Sequence, residues 1–104
     1  MQKYLLNVKI DVADEDDAVL LTVINEDTYN KIKNSRVAAT WGQIELYEDN
    51  YIPFKDFSSR SWSDILTVTP ITDAEAKILE RLNVYTNAGW IHFIDENDED
   101  IDIN

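Results

Sequence analysis

The chain has 104 residues, with 21 acids against 9 bases and one histidine, for a formal net charge of −12. That is the length of one domain, and 44% hydrophobic residues with 11% aromatics are too many for a wholly disordered acidic chain. The charge excludes direct docking on nucleic-acid phosphates or on an anionic leaflet, and the lack of cysteine excludes disulfides, thiolate metal sites and a thiol nucleophile.

Residues 2–12 place Tyr4, Leu6, Val8, Ile10 and Val12 on one face and Asn7, Lys9 and Asp11 on the other. Period two over this length predicts a half-buried strand. Asn7 and Lys9 interrupt the apolar run of about 7–15 residues that a signal peptide needs. No stretch nears the roughly 20 apolar residues of a membrane span, so a soluble, cytoplasmic protein is expected. Residues 13–17 read as a turn. Residues 18–24 (AVLLTVI) are nearly all apolar, which suits a strand buried on both faces and paired with the first through a short hairpin. Asn25 then caps a short helix with Glu26 and Asp27 in its first turn. It runs to about Ser35, with Lys31, Lys33 and Arg36 near its end, and Tyr29 and Ile32 anchor it inward.

Residues 40–47 read as a strand, 48–50 as a tight turn, and 51–54 as a return strand that Pro53 confines to an edge. The serines of residues 57–63 mark a loop, and 65–69 a short strand. Residues 70–75 contain a capping box, Thr72 with Glu75. Ala74, Ile78 and Leu82, with Leu79 beside them, form the expected core stripe of a helix ending near Asn83. Residues 87–89 read as a turn and 89–95 as a final strand, in which Trp90, His92 and Ile94 share a face. The predicted class is α+β: a mostly antiparallel sheet of five to six strands with two helices on one side, in the order ββα-βββ-αβ. One compact domain is expected over residues 1–95, and a flexible acidic tail over 96–104.

Catalytic motifs are missing. Gly42 and Gly89 are the only glycines, so no Gly-rich phosphate loop is possible. His92 could pair with Asp95, but no serine lies in a nucleophile elbow. A calcium loop starting at Asp95 would use Asp95, Asn97 and Glu99, but Asp100 occupies its glycine position. One starting at Asp98 would put Ile103 there, and both run out of chain. The acids within elements, Glu45, Asp56, Asp64 and Glu80, show no convergent spacing for two-metal or glycosidase chemistry. The expectation is a protein that is not an enzyme and that carries no metal or cofactor.

The charge is unevenly spread. Residues 11–17 hold five acids and no base, and residues 95–104 hold six acids and no base. The other 87 residues carry ten acids and nine bases, a net of −1. Such runs suit a negative surface that meets a basic protein partner. The candidate partner-binding residues are Asp14, Glu15, Asp16 and Asp17 in the hairpin turn, and Asp95, Asp98, Glu99 and Asp100 near the C-terminus. The turn ranks first, because a hairpin holds carboxylates more rigidly than a tail does.

At these two runs, Asp11-Val12-Ala13-Asp14-Glu15-Asp16-Asp17 and residues 95–102, the chain resembles small acidic inhibitors encoded by phages. These include DNA-mimic and anti-CRISPR proteins. The resemblance is one of composition. It implies a non-catalytic viral anti-defence protein acting in a host cytoplasm, whose carboxylates occupy a nucleic-acid-binding groove. A second reading is an oligomeric binder of a nucleotide-like signal. Its site would use Arg60, Trp62 and Phe57, with Trp41 or Trp90, because aromatics stack on a base while arginine pairs with a phosphate. The plainer reading of residues 54–62 has Phe54, Phe57 and Trp62 tucked into the core. A structural or assembly component with exposed sheet edges is a third. A monomer or small homo-oligomer fits all of these.

Overall fold

The structure, a computed structural model, describes residues 2–10, 17–41, 44–45, 52–59 and 64–103. The alternating N-terminal run forms β1 (Lys3–Ile10), and the apolar run after it forms β2 (Ala18–Asn25). They pair antiparallel from Ile10 opposite Ala18 to Lys3 opposite Asn25. Leu6, Val8 and Ile10 are buried with Ala18, Leu20 and Ile24, whereas the odd-numbered residues between them are half-buried. The expectation that residues 18–24 are buried on both faces is therefore corrected. Only the even-numbered face is sealed, because Val37, Ala39, Ile91 and Phe93 from a second sheet join its cluster. β6 (Ile65–Ile71) pairs with the free edge of β1, and β7 (Thr86–Ala88) with that of β2, giving the order β6-β1-β2-β7.

α1 (Glu26–Ile32) starts as expected: the Asn25 side chain accepts from the Thr28 amide at 2.8 Å. It ends one turn before the expected Ser35. The Ser35 amide and hydroxyl both donate to the Ile32 carbonyl, at 2.9 and 2.6 Å, and close the helix there. Ile32 is fully buried, and the Tyr29 ring lies 4.7 Å from that of Tyr4. The freed residues begin β3 (Arg36–Trp41), four positions ahead of the expected strand. β4 (Ile44–Glu45), β5 (Ile52–Pro53) and β8 (Ile91–Ile94) all pair antiparallel with β3. The class is α+β and mostly sheet, as expected. The strands divide between two sheets, however, instead of forming one. The predicted turn at 48–50 lies outside the described residues.

Residues Phe54–Ser59, expected as the end of a strand and a loop, form a 3-10 turn. Phe57 is buried in the core and Phe54 packs 6.4 Å from Phe93, so these two aromatics pin the segment inward.

α2 (Asp73–Arg81) has both bonds of the capping box, Glu75 amide to Thr72 hydroxyl at 3.1 Å and Thr72 amide to Glu75 carboxylate at 3.0 Å. Its end is a Schellman turn. Asn83 takes φ 54°, its amide donates to the Glu80 carbonyl, and the Val84 amide donates to that of Leu79. The expected core stripe is corrected: Ile78 is 50% and Leu82 62% exposed, whereas Ala76 is 2% exposed. The helix lays the face of Ala76 and Leu79 against the sheet, since a methyl side chain permits close approach. Glu80 meets Lys3 at 3.3 Å. α1 engages the even-numbered Tyr4 of β1 and α2 the odd-numbered Lys3, so the two helices address opposite parities of the strand. Among the described residues, no helix is long and apolar enough to cross a membrane.

The segment expected as a separate tail, 96–104, returns to the domain over its described residues. The Ile101 amide donates to the Phe93 carbonyl at 2.8 Å, Asp100 bridges to Ile94, and Ile101 and Ile103 pack against the core. The run Asp100-Ile101-Asp102-Ile103 alternates with period two, which is the signal for this packing that a tally of charge overlooks.

Candidate functional site

Two loops and one corner gather the candidate residues. Of the hairpin acids, Asp14, Glu15 and Asp16 lie outside the described residues. Asp17 immediately precedes β2 and pairs with Lys9 across the hairpin at 3.3 Å.

The C-terminal run is a structured acidic loop. The Asp95 carboxylate accepts from the Asn97 amide at 2.8 Å and the Glu99 amide at 3.0 Å, and the Asp95 amide donates to the Glu99 carbonyl at 2.9 Å. Asp95 is thus spent on holding the loop, in the manner of an Asx turn. Arg36 ties the loop to β3: its guanidinium pairs with the Asp98 carboxylate and donates to the Asp95 carbonyl at 3.3 Å. Glu99 and Asp100 are exposed, and among the described residues their carboxylates have no ion-pair partner. Of the four expected acids here, Asp95 builds the loop, Asp98 anchors it, and Glu99 and Asp100 face outward.

The corner is the turn from β7 to β8. Gly89 (φ 84°) and Trp90 (φ 42°) both have positive φ, as the two central residues of a primed turn do. Glycine adopts this freely, but a bulky aromatic does so at a cost. Of the expected turn 87–89, Asn87 and Ala88 belong to β7, and the turn centres on Gly89 and Trp90. It joins no hairpin, because β7 belongs to the first sheet and β8 to the second. Asn87 supplies the missing pairing. Its carboxamide accepts from the Ile91 amide at 2.8 Å and donates to the Ile91 carbonyl at 3.1 Å. The result holds Trp90 out at 63% exposure, with the His92 ring 6.0 Å away and the His92 Nδ1 3.2 Å from the Trp90 carbonyl. Ile94 lies two residues on from His92 in β8, on the same face as expected, but is buried where His92 is half-buried. The register that sets Val19 opposite Ala88 carries Asp17 and Trp90 to the same end of the first sheet.

A cavity of about 160 Å³ opens beside this corner, lined by Tyr85, Trp90, His92, Asp100 and Asp102 among others. It brings together Trp90 and Asp100, which belong to separate expected sites, and adds Tyr85 and Asp102, which sequence reasoning missed. Tyr85 is 48% exposed and also lines a neighbouring groove with Glu80 and Asn83.

The residues expected for a nucleotide-like ligand are described only in part. Phe57 is in the core. Arg60 and Trp62 lie outside the described residues, and Trp41 is placed only as the last residue of β3. The largest cavity described, about 470 Å³, is lined by Asn30, Lys31, Asn34, Asp95, Glu96 and Ile101. Two carboxylates against one lysine make it a poor host for a phosphate. Among the described residues, no group of three or more His, Asp or Glu side chains could hold a metal ion. No protein-family model, curated protein or solved structure matches the chain.

Proposed function

We propose that this protein is a non-catalytic binding protein that works in a cytoplasm, where its acidic surface occupies a basic, nucleic-acid-binding site on a protein partner. The observation that carries the reading is the segregation of charge: eleven of the 21 acids fall in two runs with no base, beside a body of net −1. Support comes from the second run, whose backbone is braced by Asp95 and Arg36 while Glu99 and Asp100 point outward. Carboxylates held on a braced loop lose little entropy on docking, and they can stand where duplex phosphates would, at about one charge per 1.7 Å of axis. The reading extends to the phage-encoded anti-defence inhibitors that the composition resembles.

The test is retention of proteins from a host lysate on the immobilised chain. At low salt, the retained proteins should be displaced by duplex DNA and by about 0.5 M salt. A variant with Asp14, Glu15, Asp16 and Asp17 all changed to Lys, which moves the net charge from −12 to −4, should retain little. Retention that survives both the salt and the charge reversal rejects the proposal.

A further inference from the structure

We infer that the cavity beside Trp90 is a docking site for an arginine side chain presented by a basic protein partner. This rests on the reading of the chain as an acidic binding protein, and it supplies that reading with a point of contact. Scattered carboxylates attract any cation. A cavity that sets an exposed indole and a tyrosine beside carboxylates selects one kind. A guanidinium is planar and weakly hydrated. It stacks on an aromatic face and forks its N–H groups toward a carboxylate, whereas an ammonium offers only a point charge. Trp90 provides the face and the exposed Asp100 the nearby carboxylate, and among the described residues no lysine or arginine lines the cavity.

Size and charge discriminate against the other occupants. About 160 Å³ accepts one long side chain, whereas sites that enclose small-molecule ligands run to about 300–1,000 Å³. A phosphate would be repelled by Asp100 and Asp102, and an apolar side chain would strip water from the exposed Asp100 without replacing its hydrogen bonds. The net charge of −12 steers a basic segment toward this surface. The exposed ring of Tyr85, shared with the adjacent groove, offers apolar contact for the residues that flank the arginine.

The test is calorimetric titration with hexa-arginine and hexa-lysine peptides at about 0.15 M salt, where long-range attraction is screened. Wild type is compared with Trp90→Asn and Asp100→Asn. Asparagine tolerates positive φ, so Trp90→Asn removes the aromatic face without straining the turn, and the exposed Asp100→Asn leaves the core untouched. Hexa-arginine should bind Trp90→Asn about tenfold more weakly, although the net charge is unchanged. Asp100→Asn should weaken it severalfold. Hexa-lysine should bind wild type less tightly and ignore Trp90. Equal affinity of hexa-arginine for wild type and Trp90→Asn, or no saturable binding, overturns the inference. Loss of the anchor alone leaves the acidic-surface reading standing, since that reading fails only when lysate retention survives both the salt and the charge reversal.

Discussion

Thr72 and Glu75 each satisfy an amide that helix geometry leaves without a partner. The exchange also moves a proton equilibrium. The hydrogen bond from the Thr72 amide, and then that from its hydroxyl, favour the charged carboxylate and hold Glu75 below the ordinary glutamate value. A depressed folded value means stability that is present above the unfolded value, about 4.3, and lost as pH falls through the folded one. Wild type should therefore lose more stability than Glu75→Gln between about pH 5 and pH 3, as read by denaturant melts at each pH. At neutral pH, Thr72→Ala should cost about 1 kcal/mol. These caps are legible in the sequence because each bond spans three residues. The positive φ of Trp90 is not, because nothing local asks a tryptophan to adopt it. Asn87 and the two sheets that the turn must join impose it.

At the scale of elements, α2 is the clearest lesson. Its limits follow from the capping box and from Asn83, both local signals. Its orientation does not, because the helix has two candidate stripes. Ala74, Ile78 and Leu82 are the more apolar, yet Ala76 and Leu79 face the sheet. Which stripe is buried depends on the strand beneath and on Glu80 reaching Lys3. Ile78→Ser should then change stability by less than about 0.5 kcal/mol. Ala76→Leu should overpack the contact and cost about 1–3 kcal/mol. Urea denaturation of the two variants separates these outcomes, and the reverse order would mean that the helix is turned the other way. The C-terminal segment teaches the same point from the opposite side. Its charge suggested a tail, but Ile101 and Ile103 find apolar neighbours that belong to strands remote in sequence or on the far side of a turn.

Across the whole molecule, the charge works against the fold that carries it. Three ion pairs join described residues, Lys3 with Glu80, Lys9 with Asp17 and Arg36 with Asp98, and all are at the surface. Exposed pairs contribute about 0–1 kcal/mol each, and salt weakens them. The opposing term is repulsion within two runs that hold eleven acids and no base. Repulsion should dominate, so the melting temperature should rise with salt from about 0.01 to 0.5 M. The variant with residues 14–17 changed to Lys should show a shallower rise. A melting temperature that falls with salt would mean that the ion pairs outweigh the repulsion.

The sequence by itself determined the features whose energies are local. Alternation made β1, an apolar run made its hairpin partner, and Asn25 and Thr72 started the helices. The tally of acids separated a near-neutral body from two charged runs. Only the tertiary structure decided that the strands part into two sheets, that α2 turns Ile78 outward, and that Asp95 braces a loop. It alone set Trp90 beside Asp100 and Asp102 at one cavity. The physical reason is common to all of these. A cap or a period is settled by neighbours a few residues away, whereas the choice of buried face is settled by whatever distant segment arrives to cover it.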